Sequence, residues 1–167
     1  MTTVAEVMTR GVRSMSPQDP VTLAAQAMDE LNVGVIPVCE GDRLVGMVTD
    51  RDIVVRGVAQ QSDTRTMKLA DVMSTDVRCA HEDDDLDRVL GQMAQTQIRR
   101  MPVLDREEHL VGIVSLGDIA AKEPEAEQDI ALSLGDISSP AEPDRSSQSQ
   151  ASGAAGGGAA RPQRGRA

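Results

Sequence analysis

Apolar residues along this chain fall into short runs that return at a fixed spacing. Leu44-Val45-Gly46-Met47-Val48-Thr49-Asp50-Arg51-Asp52-Ile53 begins as a buried strand, breaks at a hydroxyl residue and reaches an aspartate three positions later. Leu110-Val111-Gly112-Ile113-Val114-Ser115-Leu116-Gly117-Asp118-Ile119 is a near copy. That order predicts a strand giving way to a helix. The duplication runs further: Val4-Ala5-Glu6-Val7-Met8-Thr9 returns 65 positions on as Leu69-Ala70-Asp71-Val72-Met73-Ser74. Val12, Asp19, Met28 and Pro37-Val38 fall on Val77, Asp84, Met93 and Pro102-Val103 at the same offset. One extra residue in the turn at 106–109 raises the offset to 66 beyond it. Two structural copies of about sixty residues follow.

Each copy predicts helix, strand, helix, strand, strand, helix. Residues 3–9 suit one or two helical turns, and 12–15 alternate as a short strand would. Ser16-Pro17-Gln18-Asp19-Pro20 then reads as a turn entering a helix. Leu23, Ala24, Ala27, Met28 and Leu31 share one helical face, and Asn32 and Gly34 close that helix. The β-branched run 35–39 and the run 44–48 predict a hairpin, with Pro37 marking an edge or a bulge because it cannot donate to the ladder. A helix is predicted over 50–58. In the second copy Leu86, Val89, Leu90 and Met93 make the apolar stripe, 100–104 and 110–115 the hairpin, and 117–122 the last helix. The expected fold class is α/β (α+β), with repeats at 1–59 and 68–124, a polar linker at 60–67, a short helix at 125–137 and a disordered tail at 138–167. That tail is Ser, Gln, Ala, Gly, Pro and Arg, with almost nothing to bury against its ordering entropy.

Composition narrows the chemistry. The 167 residues include no Phe, Trp or Tyr, so aliphatic side chains and nine methionines build the core. Any adenine-like ligand therefore needs aliphatic walls rather than a stacking ring. A formal charge of −10 argues against a nucleic-acid surface, which rests on clustered cations. No apolar run approaches the roughly 18 to 20 residues of a membrane span, and residues 1–10 do not read as a secretory leader, so a soluble cytoplasmic protein is expected. Cys39 and Cys79 read as free thiols, and Asp83-Asp84-Asp85 as a solvated helix entrance rather than a metal site. No catalytic motif is present and only His81 and His109 could act as bases near neutrality, so an enzyme is not expected.

The duplicated Gly-apolar-Val-Thr/Ser-x-x-Asp signature, set in a tandem β-α-β-β-α pattern, resembles the CBS domain, and the pair resembles a Bateman module. Stand-alone two-CBS proteins of the bacterial stress and hypoxic-response type are similar in extent. The resemblance implies a pseudo-twofold pair with clefts for AMP, ADP, ATP or a related adenosine compound, with no obligatory cofactor and no bound metal. It assigns Thr49 and Ser115 to ribose or phosphate, and Asp52 and Asp118 to the ribose hydroxyls. The base would lie against Val35-Ile36-Pro37 and Arg100-Met101-Pro102. Arg51, Arg99 and Arg100 are the cations expected to meet phosphate. A plainer role is open for the hydroxyl and carboxylate pairs, as helix caps. Two functions follow: a regulatory sensor of adenine nucleotides that signals to a separate downstream protein, or a structural or stress-protective homodimer with no nucleotide ligand. The resemblance also implies a disc-like homodimer joined through helix faces.

Overall fold

The computed structural model describes residues 1–122 and 131. The tail expected at 138–167 lies outside the described residues, as does the helix expected at 125–137 apart from Ala131. In chain order the elements are α1 (Val4–Val7), β1 (Thr9–Arg10), α2 (Val21–Leu31), β2 (Val35–Glu40), β3 (Arg43–Thr49) and α3 (Asp50–Asp52), which a π-helical segment (Ile53–Val58) continues. The second repeat supplies α4 (Leu69–Val72), β4 (Ala80–His81), α5 (Leu86–Thr96), β5 (Arg100–Leu104), β6 (Leu110–Ser115) and α6 (Leu116–Lys122). This is the mixed α/β repeat order the pattern predicts. Among the described residues no helix is long and apolar enough to cross a membrane.

Local chemistry explains the shared punctuation. Helices α2 and α5 both end on a left-handed residue, Asn32 at φ 51° and Gln97 at φ 56°, whose N–H groups close the last turn. Both hairpins are antiparallel, and the register slips between Val38 and Cys39 and between Val103 and Leu104. Each slip lies one residue past a proline that cannot donate to the ladder, the irregularity expected at Pro37.

Three expectations need correction. Residues 12–15 do not form a strand; Met15 alone makes a parallel bridge to Val38, and the preceding strand is Thr9–Arg10. The core face of α2 is Val21, Ala24, Ala27 and Met28, while Leu23 and Leu31 are 39% and 47% exposed. The helix expected over 50–58 keeps α geometry only to Asp52. Beyond it the β-branched run Ile53-Val54-Val55, followed by Gly57, has low helix propensity, and the turn widens to the π form.

The two copies exchange their leading segments. Val4, Val7 and Met8 of the first repeat pack in a core with Val89, Met93, Met101, Val114 and Ile119 of the second. Reciprocally, Leu69 and Val72 pack with Val21, Ala24, Met28, Ile36 and Val48 of the first. Hydrogen bonds follow the same exchange. The first amides of α1 donate to Asp84 and Glu82 carbonyls, and those of α4 donate to Asp19 and Pro17 carbonyls. Strand β1 pairs with β6 through Thr9 and Ile113, and Ser74 exchanges two 2.9 Å bonds with Met47 of β3. The result is a four-stranded sheet in the order β1-β6-β5-β4 beside the two-stranded β2-β3 sheet.

This crossing accounts for the glycine in each copy of the repeated run. A Cβ on Gly112 would lie 2.6 Å from the Thr9 carbonyl oxygen, and one on Gly46 would lie 2.8 Å from that of Ser74. Backbone oxygens cannot swing aside as a flexible side chain can. We therefore expect Gly112→Ala and Gly46→Ala each to destabilise the fold by about 1–3 kcal/mol. Gly91→Ala, on α5 where an added Cβ meets nothing within 4 Å, should stabilise it by about 0.4–1 kcal/mol. Urea unfolding followed by far-ultraviolet circular dichroism measures all three without an aromatic reporter.

Candidate ligand-binding cleft

The two hydroxyl and carboxylate pairs sit where strand turns to helix, β3 into α3 and β6 into α6. At the first, the Asp52 amide donates to Thr49 Oγ1 at 3.0 Å and the Thr49 amide donates to Asp52 Oδ2 at 2.9 Å. At the second, the Asp118 amide donates to Ser115 Oγ at 3.1 Å and the Ser115 amide to Asp118 Oδ2 at 2.9 Å. The Ser115 hydroxyl also donates to Asp118 Oδ2 at 2.6 Å. Both pairs are thus capping boxes, each using one carboxylate oxygen and leaving Oδ1 for another partner.

What meets Oδ1 differs. Asp118 Oδ1 accepts the Thr9 hydroxyl at 3.1 Å, while Asp52 Oδ1 faces Arg56 Nη1 at 3.7 Å. Thr9 reaches Asp118 because exchanged strand β1 lies along β6.

The same exchange builds a cleft of about 390 Å³ between the repeats. Residues 9–13 form one side, Leu31, Val33, Val35 and Ile36 the apolar wall, and Arg100, Ile113, Ser115 and Asp118 the other side. Of the residues assigned from sequence, Val35, Ile36, Arg100, Ser115 and Asp118 therefore meet in one place. Pro37 and Pro102 are buried within their strands and Arg51 is exposed on α3. Met101 lines a different cavity of about 470 Å³ with Asp76, Arg78, Gln95 and Thr96. Thr49 and Asp52 line neither of these cavities.

Thr9, Arg10, Val12, Arg13 and Leu31 belong to the cleft and were not assigned from sequence. A hydroxyl retained at Thr9 and Ser74 in both copies was the available signal for the first. Arg10 pairs with Glu82 at 3.3 Å and Arg13 with Glu30 at 3.4 Å, both on open surface where such pairs contribute little. Either guanidinium is free energetically to turn toward an anion.

Other reactive groups are engaged elsewhere. Asp83 pairs with Arg106, Asp84 accepts the His81 amide and pairs with Arg88, and Asp85 caps α5 through the Arg88 amide. These three carboxylates diverge, and among the described residues no group of three or more His, Cys, Asp or Glu is placed to hold a metal. Cys39 is buried in β2 and Cys79 half-buried before β4, and burial pushes both thiols upward in pKa.

Duplicated α/β units with exchanged leading segments and a capped cleft between them define a paired two-repeat module. The chain belongs to the CBS-domain family, whose model matches residues 4–57 and 69–125. Such modules are regulatory and non-catalytic. It is 43% identical over 123 residues to the CBS domain-containing protein YhcV of Bacillus subtilis, covering 74% of this chain and 86% of that protein. It is 38% identical over 126 residues to hypoxic response protein 1 of Mycobacterium tuberculosis, covering 75% and 87%. A solved structure of Hypoxic Response Protein I, with two coordinated zinc ions, superposes with a TM-score of 0.66 at 36% identity and covers 72% of this chain and 98% of that one. The CBS domain pair of protein MJ0100, in complex with 5′-methylthioadenosine and S-adenosylmethionine, gives 0.65 at 26% identity, covering 76% and 99%.

The capping boxes carry a stability consequence whether or not a ligand binds. Thr49→Ala and Ser115→Ala should each cost about 0.5–2 kcal/mol. Thermal unfolding by circular dichroism measures the loss, and unchanged midpoints would show that neither hydroxyl holds its helix.

Proposed function

We propose that the chain is a sensor of adenosine nucleotides of the AMP, ADP and ATP class, bound in the cleft that contains Asp118. The single observation that carries this reading is the meeting of an aspartate, three arginines and an aliphatic wall in one cleft. Asp118 Oδ1, now accepting from Thr9, is suited to accept from a ribose hydroxyl instead. Val12, Leu31, Val33, Val35 and Ile36 offer aliphatic surface to a purine, and Arg10, Arg13 and Arg100 offer planar donors to phosphate. The adenosine compounds in the MJ0100 structure support the ligand class. Charge separates the members of that class: three guanidinium groups favour a phosphate over the sulfonium of S-adenosylmethionine. A separate downstream protein would read the bound state.

Isothermal titration calorimetry with AMP, ADP, ATP and S-adenosylmethionine tests the assignment. The phosphorylated nucleotides should bind and S-adenosylmethionine should bind more weakly. At a hundredfold excess over Kd the best ligand should add about 2.7 kcal/mol of stability. Asp118→Ala should weaken binding at least about tenfold, or ~1.4 kcal/mol. One observation favours the competing reading of a stress-protective dimer without nucleotide: Ser115 and Asp118 already satisfy each other, and Thr9 fills Oδ1. Absence of binding by all four compounds would decide for it.

We further infer a homodimer. Val54, Val55 and Val58 on the π-helical segment are 55%, 46% and 57% exposed, an apolar cluster suited to a second copy. Sedimentation velocity should show a dimer that Val54→Asp with Val58→Asp converts to monomer; a monomeric wild-type chain at micromolar concentration would overturn this.

A further inference from the structure

The internal duplication would offer two equivalent clefts, yet the substitutions between the copies fall on their rims. At the repeat offset Arg10 becomes Thr75, Gly11 becomes Asp76, Arg13 becomes Arg78, and Val35 and Arg100 exchange places. Three arginines with one aspartate on the first rim thus correspond, on the second, to Arg78 and Arg100 with Asp76 and Asp52. A nucleotide phosphate placed there would meet the carboxylate of Asp76 where the first rim has Gly11.

The pairs at the cleft floors differ as well. Arg56 and Lys122 occupy matching positions, and both cap the exchanged segment: Arg56 Nη1 donates to the Val72 carbonyl at 2.7 Å, and Lys122 Nζ to that of Val7 at 2.7 Å. The guanidinium goes further. Arg56 Nη1 also donates to Ser74 Oγ at 3.3 Å and lies 3.7 Å from Asp52 Oδ1, so it spans the hydroxyl and carboxylate of its own cleft. The hydrogen bonds of Lys122 go to the Val7 and Met8 carbonyls, and Asp118 Oδ1 meets the neutral Thr9 hydroxyl. A ribose at Asp52 would have to displace a cation, and one at Asp118 only a hydroxyl.

We infer that the chain holds one nucleotide, at Ser115 and Asp118 with its phosphates among Arg10, Arg13 and Arg100, and that the Thr49 and Asp52 counterpart takes none. This rests on the nucleotide reading above and adds to it the stoichiometry and the residues that set it. The matched pair Arg13 and Arg78 supplies the test, since both side chains are exposed and neither substitution threatens the fold. Calorimetric titration of the full chain with ATP should give one site per chain. Arg13→Gln combined with Arg10→Gln should weaken ATP at least about tenfold, whereas Arg78→Gln should leave Kd within about twofold. Two sites per chain, an Arg78→Gln loss equal to that of the double variant, or an unaffected double variant would each overturn the single-site inference while leaving nucleotide binding intact. No binding of AMP, ADP or ATP to the wild type would instead overturn the nucleotide reading, and this inference with it.

Discussion

The structure depends on one close backbone crossing, made twice. The Thr9 carbonyl passes over Gly112 and the Ser74 carbonyl over Gly46, at a separation that leaves no room for a side chain. Around each crossing the leading helix of one repeat enters the core of the other, and its first amides find carbonyl acceptors there. Those amides have no partner inside a four-residue helix, because a helix cannot satisfy its own first four donors. A short leading helix is therefore stable only as part of its neighbour. Neither repeat closes a core from its own residues alone, and the pair folds as one interlocked unit.

The cleft is a product of that interlock rather than an addition to it. Residues 9–13 reach Ser115 and Asp118 only because β1 lies along β6. Three arginines gather at this cleft in a chain that carries a formal charge of −10. Local arrangement outweighs that total, since charges beyond about 8–10 Å are largely screened at physiological ionic strength. An anion in the cleft would meet Arg10, Arg13 and Arg100 together with Asp118, while the exposed Glu30 and the half-buried Glu82 pair with two of these guanidinium groups.

Much of the fold was legible because burial imposes a period. Both hairpins, the stripe Leu86, Val89, Leu90 and Met93, and both hydroxyl-to-aspartate breaks appear where the apolar pattern puts them. The capping boxes were equally legible, since spacing alone lets Thr49 meet Asp52 and Ser115 meet Asp118. The exchange was not: Val4 and Val7 read as buried in either repeat, and no local pattern says whose core receives them. Leu31 misled for a related reason, because an apolar residue on a helix face reads as core whether it meets side chains or lines a cleft. Arg10 and Arg13 stayed hidden because their importance lies in a neighbour 100 residues away in sequence, whereas Arg51, beside its motif, lies outside the cleft.

Physical selection differs between the interior and the rims of a duplicated fold. Val7 and Val72, Met93 and Met28, and Gly112 and Gly46 keep their character in both copies because each is closely packed, where a changed volume costs kilocalories. Arg10 and Thr75 sit at exposed positions where a substitution typically costs within about 0.5 kcal/mol. The rims can diverge without loss of fold, so pseudo-symmetry of the backbone carries no guarantee of symmetry in binding. Arg56 shows how little is needed: it makes the same carbonyl cap as Lys122, yet its Nη1 also reaches Ser74 and Asp52. One exchanged cation, invisible to the core, thus changes what meets the free carboxylate oxygen: Arg56 at Asp52, and the Thr9 hydroxyl at Asp118.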